Sequence, residues 1–156
     1  MRAASPPRKR IGMVPKILVV DDEEEIRQVV SEFLTREGYQ VVLAASGDES
    51  LMITQRDNSG VILLDVKMPG LDGIDTCRAL KGHGKTSRIP VLVTTAYRER
   101  VLEAFDAGAD DSVTKPFHLE ELAVRVESID QIQHLTDELE RAAAYIGELQ
   151  KNLPRL

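Results

Sequence analysis

The sequence contains a single cysteine and no long apolar run. Because the only thiol is Cys77, an intrachain disulfide framework is excluded, and a reducing cytoplasm is the compartment that the sequence favours. No apolar run approaches the roughly 20 residues that a membrane-spanning helix needs, which excludes a transmembrane protein. Residues 1–16 are basic and contain proline but have no apolar centre, so they do not resemble a secretory signal.

Motifs of several enzyme and binding classes are also missing. The stretch GHGKTS at 82–87 is similar to the end of a phosphate-binding loop, but the first glycine of that motif would fall on Ala79, and the stretch follows a helix pattern. His83, His118 and His134 are too scattered to predict a metal site. DNA-binding, cyclase and kinase motifs are absent.

Charge is distributed unevenly along the chain. The net charge is −6, yet residues 1–16 carry five basic residues and no acid, which leaves the remaining chain at −11. An acidic body argues against a nucleic-acid-binding surface. We therefore predict no nucleic-acid partner, and we predict that residues 1–15 form a basic disordered arm.

Short apolar segments alternate with amphipathic ones. The apolar segments, which predict buried strands, lie at 16–20, 39–45, 61–65, 90–96 and 111–115. The amphipathic segments, which predict helices, lie at 23–38, 47–57, 73–82 and 98–108, and a longer one begins after 117. This order predicts an α/β fold, (βα)5, in which a doubly wound five-stranded parallel sheet has helices on both faces.

The first helix pattern is defined by its apolar face and its glycine stop. The face consists of Ile26, Val29, Val30, Phe33 and Leu34. Gly38 and Gly108 lie where the first and fourth predicted helices should end.

Acidic, hydroxyl and basic residues follow the predicted strands at their carboxyl ends. They are Asp21, Asp22, Asp65, Thr94, Thr95 and Lys115. Ligands of doubly wound sheets bind at this edge. Three neighbouring acids repel each other, and Mg²⁺ relieves that repulsion because it prefers carboxylate oxygens and often shares its shell with phosphate. The pattern predicts a magnesium site for phosphoryl transfer, with Asp65 as the nucleophile that forms an aspartyl phosphate.

Four motifs in this order resemble the receiver domain of two-component response regulators. They are VVDDE at 19–23, LLDVKMPGLDG at 63–73, TA at 95–96 and KPF at 115–117. The resemblance covers residues 16 to about 128 and implies a flavodoxin-like sheet with strand order 2-1-3-4-5. It also implies that the Lys115–Pro116 peptide is cis.

The resemblance implies a role for each site residue. Asp65 accepts a phosphoryl group from a histidine kinase or phosphotransfer protein. Mg²⁺ is held by Asp21, Asp22, Asp65 and the backbone carbonyl of Lys67. Thr95 is the switch hydroxyl, and Lys115 contacts the phosphoryl oxygens. The domain is then a signalling switch and not an enzyme acting on external substrates.

This chain departs from the family pattern at three places. Ser112 stands where most receivers carry a switch tyrosine or phenylalanine, so the usual aromatic readout is not expected. The segment from Thr95 to Lys115 is slightly shorter than in many relatives. Lys67 and Tyr97 lie two residues after the phosphoacceptor and two after the threonine, where we expect them to shield the phosphoryl group from water.

The apolar pattern continues past the expected end of the receiver. Residues 119, 122, 126 and 129 predict the last helix of the domain. A second series then spans three heptads with a and d positions apolar: Ile132, Leu135, Leu139, Ala142, Ile146, Leu149 and Leu153. We predict a receiver domain at 16–129 and a coiled-coil extension, or linker to an output domain, at 130–156. Pro154 is expected to stop the helix.

Several roles remain open for the extension and for the site. The extension is predicted to form a homodimer through residues 130–153; docking on its own domain or leading to an output domain or effector protein are the alternatives. An aspartyl-nucleophile phosphatase is disfavoured because Lys67 stands where such enzymes carry a second carboxylate. The remaining alternative is a receiver-like interaction and dimerisation module that is never phosphorylated.

Overall fold

The fold is a parallel five-stranded sheet. In this computed structural model, residues 16–57 and 59–153 are described; the predicted basic arm at 1–15 and Pro154 lie outside the described residues. The strands are β1 Lys16–Val20, β2 Gln40–Ala44, β3 Val61–Asp65, β4 Val91–Thr95 and β5 Asp111–Thr114. They pair in the order β2-β1-β3-β4-β5, which confirms the predicted topology.

Helices cover both faces of the sheet. They are α1 Glu24–Arg36, α2 Gly47–Arg56, α3 Gly73–Gly82, α4 Val101–Asp106 and α5 Leu119–Lys151, with a 3₁₀ turn at Arg98–Arg100. Because alternate strand residues point to opposite faces, Ile17 and Val19 pack with α1 and α5, whereas Leu18 and Val20 pack with α2, α3 and α4. None of the described helices combines the length and the apolarity needed to cross a membrane.

The predicted helix ends are confirmed at two glycines. Gly38 follows α1 with φ at 99°, and Gly108 follows α4 with φ at 104°. These backbone angles favour glycine, which has no Cβ to clash in the left-handed region. The segment at 98–108 is not one helix, since α4 itself covers only Val101–Asp106 and is preceded by the 3₁₀ turn.

One predicted core position is wrong. Val29 is 51% exposed, although Val30 and Leu34 on the same helix are buried. At 3.6 residues per turn, Val29 lies roughly 140° around α1 from Leu34, which places it at the far margin of the apolar face. The sheet therefore covers the side of α1 that carries Val30 and Leu34 and leaves Val29 exposed.

The last helix is continuous from the sheet into the extension. α5 spans 33 residues, and its first turns bury Leu122, Val126 and Ile129 against the sheet. Beyond them, the six large side chains of the heptad series are between 48% and 70% exposed. The sequence prediction of two successive apolar faces on one helix is confirmed, and the second face is uncovered in the single chain.

Truncating Leu122 should test how α5 is anchored. Leu122 is fully buried, whereas Leu102 on α4 is 77% exposed. We expect Leu122→Ala to lower the free energy of unfolding by about 2–5 kcal/mol, because burial is lost and a cavity remains. The matched Leu102→Ala change should stay within about 0.5 kcal/mol. Urea unfolding of both variants measures this, and equal losses would contradict the packing of α5.

Candidate functional site

Three carboxylates meet at the carboxyl edge of the sheet. Asp21 follows β1 directly, and Asp65 is the last residue of β3. Together with Asp22, they each offer one ligand oxygen, and these oxygens all lie within 4.8 Å of one another. Asp21 and Asp65 are 3% and 5% exposed, whereas Asp22 is open to solvent. Strand pairing thus brings together the three acids that the sequence pattern predicted.

A close approach of α3 fixes the backbone next to Asp65. A Cβ on Gly73 would lie 2.0 Å from the carbonyl oxygen of Asp65, so no larger residue fits there. The Gly73 N–H donates to the carbonyl of Val66 at 2.7 Å. Asp72 caps the start of α3 by accepting from the Asp75 N–H at 2.8 Å. The loop after β3 is therefore held tightly beside the acid cluster.

Lys115 reaches the cluster from the end of β5. Its Nζ lies 2.9 Å from Asp21 Oδ2 and 3.2 Å from Asp65 Oδ1. Burial alone would lower the pKa of Lys115, but the hydrogen bond that its ammonium group donates to Asp21 and the charges of both carboxylates outweigh burial and raise that pKa. The Lys115–Pro116 peptide is cis, as predicted, and Lys115 N–H donates to the Thr95 carbonyl at 2.7 Å.

Burial and neighbouring charge also act on Asp65. Desolvation is the larger cause, and the Asp21 carboxylate adds to it; together they raise the pKa of Asp65 from 3.8 to about 6, although Lys115 opposes the change. The cluster keeps excess negative charge, since three carboxylates face one ammonium group. Carboxylate oxygens at this spacing fit a hard divalent cation such as Mg²⁺.

The threonine predicted as a switch lies beside the cluster but bonds within its own loop. Thr95 ends β4 and is 1% exposed. Its Oγ1 accepts a hydrogen bond from the Tyr97 N–H at 2.9 Å. The hydroxyl is therefore engaged by the loop after β4. Ser112, which occupies the usual aromatic position, is half-buried in β5 and pairs in register with Val93.

A pocket of about 530 Å³ opens onto Asp65 and Lys115. Lys67 and Tyr97 are among its lining residues. Lys67 Nζ donates to the Tyr97 hydroxyl at 3.0 Å and lies 5.2 Å from the centre of its ring. The two side chains that the sequence marked as shields thus contact each other at the mouth of the pocket. The role of the Lys67 backbone carbonyl as a metal ligand stays a prediction.

One contact near the site was missed by sequence reasoning. Arg100 Nη2 lies 3.2 Å from Asp72 Oδ2, which links the loop after β4 to the loop after β3. The hydrogen bonds from Asp75 N–H and Arg100 outweigh the effect of burial and lower the pKa of Asp72. The sequence could have indicated a capping role for Asp72, because an aspartate directly before a predicted helix is a common N-cap. No local sequence signal identifies Arg100 as the partner of Asp72.

The fold and the acid edge together define a signalling receiver of the two-component type. Residues 17–127 match the family described as "Response regulator receiver domain". Since this match covers more than half of the 156 residues, the chain belongs to the response regulator receiver domain family.

Curated relatives are longer than this chain. The response regulator MprA of Mycobacterium tuberculosis is 41% identical over 140 residues, which is 88% of this chain and 60% of the relative. MprA of Mycobacterium leprae is 40% identical over 137 residues, with 86% and 59% covered. The chain thus spans about 60% of the length of these relatives.

Solved structures share the fold. The chemotaxis protein CheY4 of Vibrio cholerae is 34% identical with a TM-score of 0.71, and the match covers 75% of this chain and 99% of that one. NtrX from Brucella abortus is 28% identical with a TM-score of 0.77, covering 83% of this chain and 30% of NtrX.

Neutralising Asp65 should stabilise the protein when no divalent ion is present. The folded-state pKa of about 6 lies above the ordinary 3.8. Ionised Asp65 therefore destabilises the fold at pH 8, and this effect fades as the pH falls through 6 and is gone below the unfolded-state pKa. We expect Asp65→Asn to add on the order of 2–3 kcal/mol at pH 8.

The measurement is urea unfolding in EDTA at pH 8 and pH 5, with Asp75→Asn as the control on an exposed acid of α3. The gain for Asp65→Asn should be smaller at pH 5 than at pH 8. An equal gain in stability at both pH values would show that the pKa of Asp65 is not raised in the folded protein.

Proposed function

We propose that this chain is a phosphoacceptor switch that receives a phosphoryl group on Asp65 from a histidine kinase or phosphotransfer protein. The observation that carries the proposal is the cluster itself, in which Asp65 lies in contact with Lys115 and within ligand distance of Asp21 and Asp22. Membership of the response regulator receiver domain family supports it. We also propose the cytoplasm as its compartment, because the lone thiol suits a reducing environment.

The chemistry assigned to Asp65 is nucleophilic. A carboxylate oxygen of Asp65 attacks phosphorus, a new oxygen–phosphorus bond forms, and the bond from phosphorus to the donor breaks, so that the electron pair leaves with the donor. Bound Mg²⁺, held by Asp21, Asp22, Asp65 and the Lys67 carbonyl, would offset the negative charge of the transferring oxygens. Lys115 supplies a second positive charge on the same side of the pocket.

Thr95 is proposed to carry the change outward. Its hydroxyl donates to a phosphoryl oxygen on Asp65, and the hydrogen bond that it now accepts from Tyr97 N–H is then lost. Because Tyr97 immediately precedes the 3₁₀ turn and α4, residues 95–106 shift together. The equilibrium between alternative conformations of the face formed by α4, β5 and α5 shifts as a result. With Ser112 in β5, this readout proceeds without rotation of an aromatic ring.

The extension is proposed to pass the change to a partner. We divide the chain into a basic arm at 1–15, a receiver at 16–129 and an extension at 130–156. The extension makes a homodimer through residues 130–153, and in a longer protein it would lead to an output domain. That second role is supported by the greater length of the MprA relatives.

Turnover of external substrates is not part of the proposal. Lys67 occupies the place of a second carboxylate that would serve as acid and base. The competing function is an interaction and dimerisation module that is never phosphorylated. A complete set of three acids, a threonine and a lysine at one edge favours the switch.

Intact mass spectrometry after incubation with a small-molecule phosphodonor tests the function directly. We expect the mass to rise by one phosphoryl group with Mg²⁺ present and to stay unchanged in EDTA. Asp65→Asn should abolish the gain, whereas Asp75→Asn, which removes an exposed acid outside the cluster, should keep it. No gain under any condition would favour the interaction module.

Shielding by Lys67 should slow the loss of the phosphoryl group. The ammonium group of Lys67 and the Tyr97 ring contact each other at the pocket mouth, where they obstruct the approach of water to Asp65. We expect Lys67→Ala to accelerate dephosphorylation several-fold and Tyr97→Phe, which removes only the hydroxyl acceptor, to do so less. Decay of the phosphorylated mass measures the rates. Lys151→Ala is the control, and an unchanged rate in Lys67→Ala would refute shielding.

A further inference from the structure

The exposed apolar residues of α5 form a stripe on the side that faces away from the receiver. We define the stripe as Ile132, Leu135, Leu139, Ala142, Ile146 and Leu149; Leu153 continues the same spacing but lies two residues past the end of α5. At about 100° per residue, its centre lies roughly 140° around the helix from the buried face made by Leu122, Val126 and Ile129. The receiver therefore covers one side of α5, and the stripe leaves the domain on another side.

An ion-pair clasp joins the extension to its own receiver through the side of α5 that faces the receiver. Arg88, in the loop between α3 and β4, pairs with Glu140, and its Nη2 lies 3.8 Å from Asp137 Oδ1. In the heptad, Asp137 and Glu140 occupy f and b positions, which lie roughly 170° and 130° from the centre of the stripe. The extension thus already contacts its own domain by the opposite face, which disfavours folding of the stripe back onto that domain.

The positions flanking the stripe suit an identical partner. The e and g positions between 131 and 152 are Gln131, Thr136, Glu138, Ala143, Tyr145, Gln150 and Asn152. Glu138 is the single charge among them, and in a parallel pair it faces the uncharged Ala143 of the other copy. Two copies therefore meet without like-charge repulsion, and the flanks offer nothing to attract a strongly charged partner.

The residue types of the stripe indicate parallel pairing. Its a positions are Ile132, Leu139 and Ile146, and its d positions are Leu135, Ala142 and Leu149, so that two of the three a/d pairs combine isoleucine with leucine. Isoleucine at a with leucine at d favours two-stranded parallel coiled coils. Parallel register uses all six layers of the stripe that lie within α5. It also places the two receivers on the outer sides of the pair, where the clasp holds them.

We propose that residues 132–151 of two copies form a parallel, in-register two-stranded coiled coil through the stripe, which the buried anchor of α5 and the Arg88 clasp together keep turned away from each receiver. This inference rests on the homodimer of the proposed function and specifies its surface and direction. It does not depend on the chemistry of Asp65, so each can fail without the other.

Single-cysteine cross-linking of the full chain tests the direction. Leu135→Cys and Ile146→Cys are treated separately and as a mixture with a short bismaleimide; native Cys77 is fully buried and the wild-type chain is the background control. Parallel pairing predicts that each variant cross-links to itself. An antiparallel pair sets residue 135 opposite 146, so only the mixture would cross-link. Lys151→Cys, at an outer f position, should react about tenfold less.

Sedimentation measures the association itself. We expect a monomer–dimer equilibrium in the wild-type chain and a dissociation constant raised roughly tenfold or more by Ile146→Glu. The same Ile146→Glu chain should still unfold cooperatively in urea, which shows that the receiver is folded. A monomeric wild-type chain, cross-links in the mixture alone, or equal reaction of Lys151→Cys would each overturn the proposal.

Discussion

The contact of the Lys115 ammonium group with two buried carboxylates is the interaction on which the rest of the site depends. It joins the end of β5 to the ends of β1 and β3 through Asp21 and Asp65. The carboxylates cannot move apart, because Val20 and Leu64, which precede them, are locked in the core. Hydrophobic packing therefore holds the carboxylates close together. The Lys115 ammonium group reduces the repulsion between them, and a bound divalent cation would reduce it further.

Two cross-loop contacts connect this crowded edge to the elements that face outward. Lys67 meets Tyr97, and Asp72 meets Arg100, so the loop after β3 is tied twice to the loop after β4. Thr95 begins the second of these loops. The loop that follows Asp65 is thus connected through a short segment to the start of α4.

Local sequence patterns were sufficient to predict five parallel strands, their ends and the acid cluster, whereas the strand order came from the family resemblance. Continuous apolar strands and glycine stops carry strong local signals, and parallel pairing then brings strand ends together without further information. Contacts between distant surface residues left no such trace: Arg88 and Glu140 lie 52 positions apart, and neither belongs to a motif. Val29 fits the apolar period of α1, yet only the packed structure reveals how much of that face the sheet covers.

Because α5 is one continuous helix, the orientation of its far end is fixed relative to the receiver. Every residue along an uninterrupted helix is fixed in azimuth relative to every other, at about 100° per position. Leu122 in the sheet core and Leu149 in the stripe belong to the same 33-residue element. A chain that followed α5 would begin at an orientation set by the receiver. Adding or removing seven residues, about two helical turns, would nearly restore that orientation, whereas other numbers would rotate it.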